Sequence, residues 1–166
     1  MTISDLLKHK ALPFEIDDEK LKKLFSFFLH SAPTIDSETA TQIEEDRLIQ
    51  NWGNYIANFD SKKYRFLKPN CAIEHYFEEY GVSSDSEIKR KTHGFVCKLR
   101  DTSEPEHTCF LRHIRNAIAH SHVYVMNAGN RKFVLFEDFN DRTKKQTSRI
   151  LLSQTDLQRL KNEILR

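Results

Sequence analysis

The chain has 166 residues, of which 39% are hydrophobic and 30% charged, and it contains 12 Phe and 5 Tyr. This composition excludes an intrinsically disordered chain, because so much apolar surface can offset the chain entropy lost on folding. The length suits one hydrophobic core better than two, so we expect a single domain over residues 1–166.

The net charge of +2 hides an uneven distribution of charge. Residues 1–88 hold 10 Lys and Arg against 16 Asp and Glu, whereas residues 89–166 hold 16 against 8. A basic surface attracts phosphate-rich polymers by releasing their counterions. The second half is therefore the better candidate for contact with nucleic acid, although a solvated charged surface is the simpler alternative.

Neither a membrane nor a metal is indicated as a partner. No run of about 18 apolar residues is present, and residues 1–12 lack the basic-then-apolar order of a secretory signal, so we expect a cytoplasmic protein. Cys71, Cys97 and Cys109 are odd in number and include no Cys-x-x-Cys pair. They favour reduced core thiols over disulfides or a zinc site, and we expect no metal and no cofactor.

The first three quarters of the chain carry helical signals. Capping residues and apolar spacing predict helices over about residues 18–32, 37–59, 70–81 and 85–100. A polar loop that holds Pro105 follows, and a fifth amphipathic helix is expected over about residues 107–120. These five helices predict a helical bundle over residues 1–122.

The pattern changes at Val123 from helical spacing to alternation. Alternating apolar residues on either side of Asn127–Asn130 predict a β-hairpin, and Ile150–Leu152 predict a third short strand. Ser153 can cap a closing helix. We therefore expect a mainly α fold, in which a small antiparallel β element at residues 123–152 and a helix at 153–166 follow the bundle.

The fifth helix separates apolar from polar residues. At 100° per residue its apolar side chains fall at about 140° to 260° from Arg112, and they are Phe110, Leu111, Ile114, Ala117 and Ile118. Asn116, His120 and His113 lie at about 40°, 80° and 100°, and Arg115 at about 300°. The polar residues therefore share the other side, but about 140° separates Arg115 from His120. A second copy of the helix could complete a site that needs both.

Arg115 and His120 fit RNA cleavage without a metal. A guanidinium recognises phosphate with a permanent charge, and an imidazole can move a proton to or from ribose oxygens near neutral pH. Attack by the 2′-hydroxyl on the adjacent phosphate needs those two functions. RNA is implied as the substrate, because DNA lacks this nucleophile.

The run Arg115-Asn116-Ala117-Ile118-Ala119-His120 resembles the Arg-Asn-x-x-x-His signature of HEPN ribonucleases, a superfamily of helical-bundle proteins. The hairpin with Phe136–Phe139 that follows looks like a plasmid- and phage-defence-associated subgroup with a C-terminal β element. The resemblance implies a metal-independent endoribonuclease whose composite site lies at a homodimer interface. Arg115 and His120 would be its catalytic residues, and Asn116 would orient them.

The resemblance also implies a toxin or phage-defence role, with an antitoxin or a defence-system protein as a partner. In HEPN toxins neutralised by a nucleotidyltransferase antitoxin, the motif continues His-x-Tyr and the tyrosine is modified. Here His122 stands at that position, so such an antitoxin is not favoured.

Arg112, His113 and His122 are further candidates for contact with the substrate, although ordinary structural roles are the alternative for each. Arg115 could equally form an ion pair with a neighbouring helix, and Asn116 and His120 could serve a helix-ending network. Two other functions remain open at this stage: a HEPN module that binds RNA or nucleotide, or regulates a partner, without cutting, and a purely structural dimerisation domain.

Overall fold

A computed structural model describes all 166 residues and shows a mixed α/β fold. About 37% of the chain is helical and 22% lies in strands, and the strands form one six-stranded sheet. The prediction of a mainly α bundle with an appended β element is therefore wrong. The sheet runs through the whole molecule, and three of its six strands come from residues 1–122, the region predicted to be a helical bundle.

The elements in chain order are α1 (Ile3–Leu6), β1 (Lys10–Ala11), α2 (Glu19–Ser26), α3 (Glu45–Ile56), β2 (Tyr64–Leu67), β3 (Gly94–Lys98), α4 (Glu106–Ala119), β4 (Val123–Ala128), β5 (Arg131–Phe139), β6 (Gln146–Ser153) and α5 (Gln154–Ile164). A π-helical turn at Phe27–Ser31 extends α2, and short 3-10 turns lie at Ser61–Lys63 and Ile73–Tyr76. None of the helices is long and apolar enough to cross a lipid bilayer.

The strand order across the sheet is β1-β4-β5-β6-β3-β2. All neighbours are antiparallel except β2 and β3, which run parallel. Alternate strand residues point to opposite faces. Val134 and Phe136 of β5 join the core beneath α2, α3, α4 and α5, whereas Phe133 and Leu135 face a smaller core that includes α1.

The helix predicted over 85–100 is in fact the strand β3 preceded by irregular chain. β3 lies between β2 and β6, and Phe95, Val96 and Cys97 are all fully buried. A strand that is buried on both faces has apolar residues at every position and lacks the alternation of a half-exposed strand. A short apolar run of this kind is therefore compatible with either a buried helix or a buried strand. The helix predicted over 70–81 is reduced to one 3-10 turn at Ile73–Tyr76.

Several local predictions are confirmed. α2 begins after Asp18, whose carboxylate accepts a hydrogen bond from the Leu21 N–H at 3.0 Å. The hairpin β4–β5 turns at Gly129, which adopts a positive φ of 62°, and β6 is the third strand. α5 begins after Ser153, which forms a capping box with Asp156. The second helix is shorter than predicted, since α3 begins at Glu45.

The close approach of β3 to its neighbours gives a testable expectation. A Cβ atom added to Gly94 would lie 2.8 Å from the Lys63 carbonyl oxygen and 3.0 Å from that of Tyr80, whereas one added to Gly53 on α3 meets nothing within 4 Å. We expect Gly94→Ala to lower the free energy of unfolding by about 1–3 kcal/mol through this overpacking. Gly53→Ala should raise it by about 0.5–1 kcal/mol through helix propensity. Urea denaturation of both variants measures the difference, and equal stabilities would contradict the packing described for β3.

Candidate active site at the end of the fourth helix

The motif straddles the C-terminal end of α4. His120 is the C-cap residue, and its N–H donates to the Asn116 carbonyl oxygen at 3.0 Å. Ser121 then adopts a φ of 57°, and the His122 N–H donates back to the Ala117 carbonyl oxygen at 2.8 Å. This is a Schellman motif with serine where glycine is usual. The turn leaves the His120 side chain exposed to solvent at the point where the chain enters β4.

The buried carboxylate of Asp138 organises the polar side of α4. It lies on β5 in the same alternation as Val134 and Phe136, so it points toward α4. One of its oxygens accepts hydrogen bonds from His113 Nδ1 at 2.8 Å and from Asn116 Nδ2 at 3.1 Å. The other accepts from the Phe139 N–H at 2.9 Å. Asp138 thereby ties the motif helix to the sheet.

The imidazole of His113 is part of this buried network. Its side chain has no solvent exposure, and Nε2 lies 2.8 Å from the Lys98 carbonyl oxygen. Both ring nitrogens therefore lie within hydrogen-bond distance of oxygen acceptors, Asp138 on one side and the Lys98 carbonyl on the other. The helical projection placed His113 on the polar side, but that side packs against β5. The structure places His113 in the buried network with Asp138, and its contact with substrate stays a prediction.

The protonation of Asp138 follows from the same contacts. Burial by itself would raise the pKa of the Asp138 carboxyl, but the hydrogen bond and charge of His113, with further hydrogen bonds from Asn116 and the Phe139 N–H, hold that pKa below its ordinary value. The carboxylate is therefore ionised at neutral pH, which keeps it an acceptor for all three donors.

Arg112 is engaged by a different carboxylate. Its Nε and Nη2 atoms donate to the two oxygens of Glu104 at 2.8 and 2.9 Å, and both side chains are largely buried. Burial acts to lower the pKa of Arg112, but the bond to Glu104 outweighs it and the guanidinium stays charged. Arg112 would have to leave this bidentate pair to contact a phosphate. The structure therefore favours a structural role for it over the predicted contact with substrate.

Arg115 remains available for an anion. Its Nη1 donates to the Asn116 side-chain oxygen at 3.3 Å, and it forms no ion pair. Asn116 in turn donates to Asp138, so a continuous chain of hydrogen bonds leads from the half-exposed guanidinium into the core. The alternative ion pair with a neighbouring helix is absent. The Asn116 side chain thus contacts both Arg115 and Asp138.

His120 and His122 lie side by side beyond the helix end. Their ring centroids are 6.2 Å apart with an angle of 21° between the planes, and His122 also meets the Phe139 ring edge-on at 4.9 Å. Partial burial lowers the pKa of His122, and the positive charge of Lys10 lowers it further. His122 is thus neutral at pH 7. No hydrogen bond joins Arg115 to His120 within the chain.

Sequence reasoning missed Asp138, Glu104 and the Lys98 carbonyl oxygen. Asp138 carries a usable signal, because a carboxylate that continues the alternation of Val134 and Phe136 falls on the buried face of a strand. A buried carboxylate requires partners. This requirement predicts polar partners for Asp138 on the helix that packs against β5, and the structure shows them to be His113 and Asn116 of α4.

Comparison with known proteins assigns the chain to a family. A family model described as HEPN pEK499 p136 matches residues 11–166. The chain belongs to this family and so to the HEPN superfamily, members of which are associated with ribonuclease activity. No curated protein and no solved structure matches the chain significantly.

Proposed function

We propose that the protein is a metal-independent endoribonuclease that cuts RNA by 2′-hydroxyl attack, at composite sites formed by Arg115, Asn116 and His120 across a homodimer. The observation that carries the proposal is that the charged and titratable side chains of the motif are accessible and form no ion pair. Arg115 has no carboxylate partner and His120 is exposed, while Asn116 and Asp138 hold the helix end in place. Side chains that served only stability would be paired or packed.

Each residue has a role in the proposed reaction. The Arg115 guanidinium neutralises charge on the phosphate as the 2′-oxygen bonds to phosphorus and the bond to the 5′-oxygen breaks. An imidazole accepts the proton of the 2′-hydroxyl, and another donates a proton to the departing 5′-oxygen. His120 of one protomer meets Arg115 of the other, and His122 supplies a second, neutral imidazole beside it. The products are a 2′,3′-cyclic phosphate and a 5′-hydroxyl.

An exposed apolar pair lies beside the motif and supports the dimer. Leu12 and Phe14 are 54% and 45% exposed. Leu12 directly follows β1, whose last residue Ala11 pairs with Val123, so the antiparallel register brings Leu12 to the level of His122, and Phe14 lies two residues further along the chain. Two large apolar side chains exposed together mark a candidate protein contact. A second protomer seated there would bring its own motif to the same end of the sheet.

The dimer contact can be tested without touching the motif. We expect Leu12→Ser with Phe14→Ser to shift the protein from dimer to monomer, because it removes apolar area from the proposed contact. Sedimentation velocity over a range of concentrations measures this shift. The control is Ile49→Ser with Leu165→Ser, which removes two apolar side chains that are also exposed, at 50% and 39%. A parent monomer, or equal effects of the two double variants, would contradict the proposed interface.

The reaction is tested with purified protein and an end-labelled oligoribonucleotide in excess chelator. We expect cuts that leave 2′,3′-cyclic phosphates. A matched oligonucleotide with a 2′-deoxy sugar at the main cut site should resist cleavage there and stay cleavable elsewhere. Cleavage that continues at the deoxy position would contradict 2′-hydroxyl attack, and salt-sensitive RNA binding without any cleavage would favour a non-catalytic module.

We extend the proposal to a toxin or phage-defence role in the cytoplasm, where RNA is accessible. This extension rests on the resemblance of the motif and the following β element to defence-associated proteins. Expression of the parent and of a motif variant side by side, with sequencing of RNA ends, tests it. Growth arrest with new ends in the parent alone supports the role, and equal growth contradicts it.

A further inference from the structure

A large basic groove lies at the opposite end of the sheet from the motif. It has a volume of about 1460 Å³ and is formed by the tip of the β4–β5 hairpin, the first turns of α2 and α5, and residues 88–90. Between Arg131 in the groove and Glu137 near the motif, six residues of β5 span about 20 Å at about 3.4 Å per residue. The groove is therefore separate from the candidate active site but within reach of the same polymer.

The charge of the groove is strongly one-sided. Its lining includes one carboxylate, Asp18, and six cationic side chains: Lys20, Lys89, Arg90, Arg131, Lys132 and Arg159. A concave surface lined by one sign of charge concentrates ions of the opposite sign. The groove is thus built to attract an anionic ligand.

Half of these cations have no anionic partner in the chain. Lys132 pairs with Asp18 and Arg159 with Asp156, each at 2.6 Å, and Lys89 lies 3.8 Å from Glu87. Lys20 and Arg90 form no ion pair, and Arg131 donates only to the uncharged Arg90 carbonyl oxygen, at 2.7 Å. That bond holds the Arg131 guanidinium against residue 90 without neutralising it. The unpaired charges are Lys20, Arg90 and Arg131.

The uncharged lining distinguishes among anionic ligands. Only three of the 18 lining residues are hydrophobic, and none is aromatic. Protein interfaces have an apolar core, and sites that grip the bases of a single strand use aromatic side chains for stacking. The side-chain amides of Asn127, Asn130, Gln154, Gln158 and Asn162 instead offer hydrogen bonds to phosphate and ribose oxygens. The composition fits a sugar-phosphate backbone.

We propose that this groove is a second RNA-binding site, which holds the backbone of the RNA at a distance from the position that is cut. The identification of the anion as RNA rests on the proposed function. Since the contacts are to backbone, the groove contributes affinity without base preference. The proposal also gives a role to the excess positive charge of residues 89–166. Five of the six cationic residues that line the groove belong to this half of the chain: Lys89, Arg90, Arg131, Lys132 and Arg159.

The test is RNA binding by fluorescence anisotropy, with a labelled mixed-sequence oligoribonucleotide and a His120→Ala background to prevent cutting. Lys20→Glu with Arg90→Glu reverses two exposed, unpaired charges of the groove. The control, Arg47→Glu with Lys62→Glu, makes the same change in net charge at exposed positions outside it. We expect the groove variant to bind about tenfold or more weakly than the control, with the slope of log affinity against log salt smaller by about 0.7 for each lost phosphate contact.

Equal weakening by both double variants would overturn the proposal, because net charge alone would then account for the effect. Unchanged RNA affinity of the groove variant would also overturn the proposal. The anion bound in the groove would then be something other than RNA, such as an acidic protein. Cleavage by the parent is measured separately. If the parent cleaves RNA and the groove variant binds RNA as tightly as the control, only the proposal for the groove is rejected. If the groove variant binds RNA more weakly but the parent does not cleave RNA, only the proposed enzymatic function is rejected.

Discussion

His120→Ala is expected to lower the rate of RNA cleavage by about 10²- to 10⁴-fold, which is the usual contribution of one general acid or base. The side chain is exposed at the end of α4 and forms no hydrogen bond that the fold depends on. Stability and RNA affinity should therefore stay close to those of the parent. Single-turnover cleavage with a large excess of enzyme measures the rate.

His75→Ala is the matched control, since His75 is also an exposed histidine but lies in the 3-10 turn at Ile73–Tyr76. It should cut RNA at the rate of the parent. A pH profile separates the proposed role from a structural one, because the loss of one imidazole removes one limb of a bell-shaped dependence. An unchanged rate for His120→Ala would remove His120 from the mechanism.

The second large effect is expected for stability and concerns Asp138. Asp138→Ala removes the acceptor for His113 and Asn116 and leaves both side-chain donors without that partner. A buried donor that loses its acceptor costs about 1–3 kcal/mol, and we expect the free energy of unfolding to fall by about 2–4 kcal/mol at neutral pH for the two donors together. Urea denaturation measures it. Asp141→Ala, at an exposed position in the following turn, should have little effect.

The contribution of Asp138 also depends on pH in a defined direction. Its pKa is lower in the folded protein than in the unfolded chain, so its stabilising effect is fully present above the unfolded pKa and is lost as the pH falls through the folded pKa. The stability gap between parent and Asp138→Ala should therefore narrow in acid. A gap that is constant with pH, or no larger than that of Asp141→Ala, would contradict the account of the buried network.

The parts of the fold that could be predicted from sequence carry local signals. Asp18 and Ser153 begin helices where their side chains cap them, and the β4–β5 hairpin turns where Gly129 permits a positive φ. The motif helix was recognisable because its apolar residues form one continuous face. Each of these features is decided by residues within a few positions of each other.

What could not be predicted depends on partners distant in the chain. β3 is a strand because β2 and β6 pair with its two edges in the sheet. The short apolar run Phe95–Cys97, taken alone, does not show that such partners exist. His113 is buried because Asp138, 25 positions later, faces it across the helix–sheet interface. The motif alone predicted a polar surface of α4, whereas the structure divides it into a buried part, His113, and an accessible part, Arg115 and His120.

The central claim is that Arg115 and His120 act across a homodimer, and subunit mixing tests it most directly. Arg115→Ala and His120→Ala are each expected to be nearly inactive alone. In a two-fold dimer with one variant of each kind, one of the two sites has both residues intact, so an equal mixture should recover about a quarter of the parent's cleavage activity. A mixture no more active than the two variants alone, under conditions in which subunits exchange, would contradict a composite site.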